Sequence, residues 1–529
     1  MAKYSISRLL FFLAFVPVLG AQAPFQISLD PVIIPGAPGL QSFAAGQWDG
    51  AWLLMAGRED GLHRRQPFAA FDEDNQNDSV YVLNPETKQI WSAPLTSLPT
   101  AIAEQLKGTN PQFAQRDSML YITGGYGYST TAGDHITHPQ LLAVHVPNMI
   151  AAVQQGTSLA PHIRALADQR MAVTGGYLAL LEGRFYLVVG QRFDGRYNPM
   201  NHPTFTQEYT NQIRIFHIAD NGVNLAIEDY TAWTDAQHLH RRDYNLAPAI
   251  FPDGRPGFTI FSGVFQYDQD LPWLYPVDID TGGYTPRPDF AQYLNHYHCA
   301  NAVLYDQMSG VHHTVFFGGM AQYTLDAGST LVQDLNVPFV KTIARVTRYA
   351  DGSLEEVKLP VEMPAFLGSG AEFFPHPAIP LFPNGVIRMD ELSGDSVLLG
   401  YIYGGIKSPE ANIFFTNIAS EAVPTVYRVF LSRKSVHTGE QPVQNPLHML
   451  VSPNPATGDL QINYWLPQTA GVRIRLIDAS GRLLGEFDEG QKSAGVHWLK
   501  LGATGMPKGM LIVNLTADTV QVTQKVILE

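Results

Sequence analysis

Asn77-Asp78-Ser79-Val80-Tyr81-Val82-Leu83-Asn84-Pro85-Glu86-Thr87-Lys88-Gln89-Ile90-Trp91 contains a complete strand–turn–strand phrase. The β-branched and aromatic run 79–83 predicts a strand. Asn-Pro-Glu-Thr predicts a turn, because Asn tolerates the left-handed region, Pro presets φ and Thr returns the chain to β. Gln89-Ile90-Trp91 then starts a partner strand. Just upstream, Leu53-Leu54-Met55-Ala56-Gly57 is an apolar strand that ends in glycine.

Both halves of the phrase recur. The glycine-ended strand returns at 121–125, 186–190, 259–263, 315–319 and 401–405, ending in Gly125, Gly190, Gly263, Gly319 and Gly405. A second apolar strand follows each copy, at 141–144, 213–216, 273–277, 343–346 and 426–430. The copies lie roughly 55 to 85 residues apart. The double-glycine strand, the Asn-Asp-x-Tyr-Val strand, the Pro-Glu-Thr turn and the Trp together resemble the kelch repeat family. One such sheet cannot bury both faces alone, so the copies are expected to stack radially and close into a ring. The expectation is an all-β chain, a kelch-like β-propeller of six blades, with five or seven as alternatives, and a small C-terminal β-sandwich.

The flanks read differently. Lys3 and Arg8 precede the apolar run Leu9–Leu19, and Ala21-Gln22-Ala23 fits a small-x-small cleavage site. Residues 1–23 are therefore expected to be a signal peptide, 24–434 the propeller, 435–447 a polar linker, and 448–529 a separate domain. In that last segment period-two alternation and glycine turns predict about seven strands. The ordered motifs Pro453-Asn454-Pro455, Asp478-x-x-Gly481-Arg482 and Ala494-Gly495-Val496-His497, then Lys525 in the final strand, resemble the C-terminal sorting domain (type A) of Bacteroidetes type IX secretion substrates. The resemblance implies the type IX machinery as partner, passage through the periplasm, and a secreted or surface-attached product.

Composition narrows the function. Hydrophobic residues are 45% and charged residues 16% of the 529, and the net charge is −14. Without a basic stripe the chain is not expected to bind nucleic acid. After signal removal no transmembrane segment is expected. One cysteine, Cys299, excludes an internal disulfide and a cysteine-based zinc site. Gly-x-Ser-x-Gly, His-Glu-x-x-His and phosphate-loop motifs are missing.

Propellers place ligands in loops beside their innermost strands, so polar clusters just before those strands are the candidates. These are Arg241, Arg242, Asp243 and Tyr244, then His296, Tyr297 and His298, with Arg170 and the loop residues Arg64 and Arg65. The five arginines predict a mouth with anion affinity. His296 and His298, at i and i+2, are weak metal candidates. Tyr297-His298 resembles the copper ligands of galactose-oxidase-like propellers, although Cys299 adjoins that pair where the family places its crosslinking thiol in a separate blade. His312 and His313 are expected to point to opposite faces of one strand. The acidic run 72–78 reads as a solvated turn, with calcium as the alternative. No cofactor is predicted. The expected function is binding of a glycan, a protein or another surface ligand, the alternative being a channel-mouth hydrolase or metal-dependent oxidase.

Overall fold

The computed structural model describes residues 24–528 except 67, 200–203, 417, 434–440, 443–446, 480 and 503–504. The expected signal peptide and most of the expected linker lie outside the described residues.

Strand order gives six antiparallel sheets in sequence. Blade one is Ala44–Trp48, Ala51–Met55, Ser79–Asn84 and Gln89–Pro94. The next four blades begin at Thr109, Tyr177, Asn245 and Asn301. Blade six takes three strands, Phe366–Pro375, Ser396–Ser408 and Val426–Ser432, from the end of the ring and its outermost strand, Gln26–Val32, from the beginning. That pairing runs antiparallel from Gln26↔Ser432 to Val32↔Val426 and closes the circle. The chain is a six-bladed β-propeller.

Alternation along each strand explains the core. In blade two, Leu120 and Ile122 pack with Leu53, Met55 and Val80 of blade one, whereas Tyr121 packs with Phe185 and Phe216 of blade three. Every blade interface has its own apolar cluster of this kind, including Trp52, Leu54 and Leu83 of blade one against Phe374, Tyr401 and Tyr403 of blade six. Trp52 stacks on Phe374 with ring centroids 4.2 Å apart.

The glycine that ends each repeat phrase has one geometry. Gly57, Gly125, Gly190, Gly263, Gly319 and Gly405 have φ between +84° and +96°. Each carbonyl accepts a backbone N–H from the residue leading into the third strand: Asn77, His138, Thr210, Trp273, Val340 and Val423. The residue before each glycine is also left-handed, from Val189 at +41° to Gly404 at +75°. In blade two that residue is Gly124, and a Cβ there would lie 1.7 Å from the Val173 carbonyl oxygen of blade three. The turn at 84–88 is built differently from expectation. Asn84 accepts the Glu86 and Thr87 N–H groups with its side chain, and Lys88, at φ +57°, takes the left-handed position.

The C-terminal segment is a two-sheet sandwich. Leu450–Ser452, Leu460–Leu466 and Gly495–Leu501 form one sheet, and Leu483–Lys492, Ala470–Asp478, Gly509–Ala517 and Val520–Leu528 the other. Its core includes Val451, Ile462, Ile474, Leu476, Val513 and Val526. The Pro453-Asn454-Pro455 corner is tied to the last strand. Asn454 donates to the Lys525 carbonyl at 3.0 Å and accepts the Ile527 N–H at 2.9 Å. The Asp478–Arg482 turn is closed by the Asp478 carboxylate on the Arg482 N–H, with Gly481 at φ +86° and Gly495 further on at +122°.

Gly124→Ala is expected to destabilise the protein by about 3 kcal/mol in denaturant unfolding. Gly133, at φ +69° with nothing within 4 Å of where a Cβ would stand, is the control. Gly133→Ala is expected to cost only the left-handed strain, about 1 kcal/mol. Equal losses would show that the close approach between blades two and three is not what requires glycine.

Candidate functional site

At one end of the channel the chain builds a ring. The residues entering the six inner strands are Ser42, Asn110, Gly175, Asp243, His298 and Gly370. Each backbone N–H donates to the carbonyl of its counterpart in the preceding blade, at 2.8 to 3.4 Å, and Ser42 donates to Gly370 to complete the circle. Above this ring opens a cavity of about 760 Å³. Five ring residues line it, as does Thr174 beside the sixth.

Loops and added hairpins raise its walls. Blade three contributes the pair Gln191–Gly195 and Phe205–Tyr209, which brings Phe193, Phe205 and Tyr209 over the channel. The hairpin is braced by Thr137 of blade two, whose hydroxyl donates to the Phe193 carbonyl at 2.7 Å. On another wall Tyr209, His240 and Tyr267 form a stack, with centroid separations of 3.8 and 4.0 Å. Phe415 stands on the blade-six side, 73% exposed, with the Arg65 guanidinium 4.7 Å over its ring.

The floor is polar and internally paired. Arg242 and Asp243 form an ion pair, and Asn110 donates to the other oxygen of Asp243 at 2.7 Å. Arg242 also donates to the Tyr209 hydroxyl at 3.1 Å and lies over the Phe265 ring. Burial opposes the charge on Arg242. Tyr209, Asp243 and Tyr297 outweigh it and hold the guanidinium above its ordinary pKa. Beside them His298 lies 3.0 Å from the Glu372 carboxylate, which stands two residues down the inner strand of blade six from Gly370.

The expected site residues therefore divide. Arg65, Arg242, Asp243, Tyr297 and His298 line the cavity, and the others do not. Arg241 is wholly buried and donates to the carbonyls of His238, Ser262 and Tyr275, so it cements blade four. The Tyr244 hydroxyl donates to the Val188 carbonyl of blade three. Arg170 is spent on Asp168 and the Tyr230 ring. Blade three enters its inner strand at Thr174-Gly175, beyond the short helical turn Gln169–Met171. Arg64 is outside the lining, where its carbonyl meets the His63 ring. The expected five-arginine mouth does not assemble.

The histidine pair also separates. His296 is buried between elements, with Nδ1 accepting the Gln322 N–H and Nε2 bonded to the Gln292 carbonyl, both at 3.0 Å. Neither nitrogen remains for a metal, and His298 faces Glu372 instead. Cys299 is buried, and burial pushes its thiol up to about 12. Among the described residues no group of three or more His, Cys, Asp or Glu is placed to share a metal. These residues do not fit a copper centre of the galactose-oxidase kind. His312 and His313 are both buried and diverge, His313 against Phe25 and Thr347. In the acidic run, Asp72 caps the short helical turn Glu73–Asn75.

Asn110, Tyr209, Phe265 and Tyr267 were missed by sequence reasoning. Asn110 was findable, because Thr109-Asn110 stands at the entry to an inner strand as Arg242-Asp243 does. The aromatic walls come from hairpins outside the repeat phrase and carry no periodic signal.

Comparison with known proteins bears mainly on the tail. Residues 450–529 match the family described as secretion system C-terminal sorting domain. The chain thus carries an address for the type IX machinery and for the cell surface or the extracellular space. No curated protein matches the chain. Two solved structures are similar in outline. The structure of YjhT is 11% identical, with TM-score 0.43, covering 76% of this chain and all of that one. A fungal alcohol oxidase of the AA5 family in complex with copper is 10% identical, with TM-score 0.36, covering 96% of this chain and all of that one. Neither likeness bears on activity. No helix among the described residues is long and apolar enough to cross a membrane.

The buried imidazole gives a pH prediction. Burial pushes His296 down to about 4 from an ordinary value of 6.5. A folded value below the unfolded one means that its contribution is complete above pH 6.5 and is lost as pH falls towards 4. The stability advantage of wild type over His296→Gln is expected to shrink by about 3 kcal/mol between pH 7 and pH 4. A constant difference in chemical denaturation at the two pH values would refute the assignment.

Proposed function

We propose that this is a kelch-like propeller that binds a surface or extracellular ligand in the basin above its hydrogen-bonded ring. On this reading residues 1–23 are its signal peptide, 24–434 the binding unit and 448–529 the export domain. The observation that carries it is the cavity itself. All six blades contribute to an opening of about 760 Å³, a size suited to a small ligand or the end of a larger one. Exposed aromatics at the rim, Tyr267 at 57% and Phe415 at 73%, supply apolar contact area that a free surface does not need.

A combined glycan and protein array tests this. Purified protein is expected to give discrete hits, weakened at least tenfold by Tyr267→Ala with Phe415→Ala at an unchanged melting temperature. Hits indifferent to those substitutions would place the ligand elsewhere.

The second reading is an enzyme, and the proximity of His298 and Glu372 supports it: an imidazole at the cavity floor has a carboxylate 3.0 Å away, two groups of the kind that move protons. Release of reducing ends or new termini from a polymer, abolished by His298→Gln without loss of binding, would favour that reading. Equal turnover in both proteins would remove it.

A further inference from the structure

We infer that the basin takes a neutral saccharide, an inference that rests on the binding reading above and names its ligand class. Charge comes first. The lining holds two arginines, Arg65 and Arg242, and two aspartates, Asp243 and Asp270. The deeper arginine is paired in place with Asp243, and its Nε donates to the Tyr209 hydroxyl. An anionic ligand reaching the floor would meet a guanidinium already paired with a carboxylate, so repulsion from Asp243 would offset much of the attraction of Arg242 while the ligand lost its hydration. A cation reaching the floor would meet an aspartate, Asp243, already shared by Arg242 and Asn110.

Hydrogen bonding separates saccharides from peptides. A peptide that binds along a strand needs free backbone N–H and C=O groups at a sheet edge. Here all six ring N–H groups are consumed by the neighbouring blade's carbonyl, so the floor has no such edge. It offers side-chain groups instead: the Ser42 hydroxyl, the Asn110 side-chain oxygen and the His298 ring. Scattered side-chain donors and acceptors suit hydroxyls spaced around a sugar ring.

The walls supply the other half. A pyranose has an apolar C–H face, and a flat aromatic ring is its natural complement. Tyr267 has one face against His240 and is 57% exposed. It is held rigid by that stack, so little side-chain entropy remains to be lost on binding.

The test is calorimetry and affinity electrophoresis of the full mature chain, as wild type, Tyr267→Ala and Phe415→Ala. The probes are neutral gluco-, manno-, xylo- and galacto-hexasaccharides, a hexagalacturonate and a tryptic casein digest. At least one neutral hexasaccharide is expected to bind, at least tenfold more weakly to Tyr267→Ala, with Kd changing less than twofold between 50 and 500 mM NaCl. Binding of the uronate or the peptides alone, lost in the same variants, would overturn the saccharide assignment and leave the basin as the binding site. Absence of any binding sensitive to Tyr267 or Phe415 would overturn both. Since both side chains are exposed, unchanged melting temperatures are expected to accompany either outcome.

Discussion

The circle of backbone hydrogen bonds around the channel is the constraint on which the rest depends. It joins one residue from each blade, every bond running the same way round, so it closes only when six blades complete one turn with matched offsets. Pointing N–H and C=O along the circumference demands an unusual backbone. Ser42, Asn110, Gly175, Asp243 and Gly370 have φ between +49° and +73°. Three of these are not glycine and each carries strain of about 1 kcal/mol. The ring bonds offset it by pairing the N–H and C=O groups that point along the circumference.

Ring geometry also explains which parts of the molecule could be read in advance. The glycine at each phrase end is dictated by a left-handed backbone and a bond to the third strand that every blade makes, so the signal survives in all six copies. The penultimate residue is less constrained. Where the next blade's carbonyl crowds it, as at Gly124, glycine is required, whereas Ala56, Val189 and Ser262 occupy the same left-handed position elsewhere. That is why only three copies show the double glycine. Sandwich strands were equally readable from their period-two alternation, and the Asp478 turn because its chemistry is local.

Site residues were harder. A polar residue next to an inner strand faces either the channel or the seam between blades, and the choice changes from one position to the next. Arg241 and Arg242 are adjacent, yet the first is buried in blade four and the second floors the cavity. The same divergence sends His296 into the interior and His298 to the mouth. Composition cannot distinguish these fates, since an arginine packed against Trp273 and Tyr275 that gives Nε and Nη1 to backbone carbonyls is the same residue type as one facing a ligand. The walls add a further gap, because their aromatics sit on hairpins that belong to no repeat.

Closure has a consequence for an exported chain without disulfides. The strand that completes blade six, Gln26–Val32, pairs with Val426–Ser432, about 400 residues later. Loop-closure entropy makes this the most expensive pairing in the molecule, and it forms only when the whole ring is present. Once formed, it covers the outer edge of Val426–Ser432 that would otherwise be exposed, in the blade whose Phe374 stacks on Trp52 across the seam. A ring stapled in this way leaves its axis rigid and its backbone donors spent. Recognition is then left to side chains on the loops above, which can vary without disturbing the circle beneath them. The fold thereby separates the part that must be identical in every blade from the part that can specify a ligand.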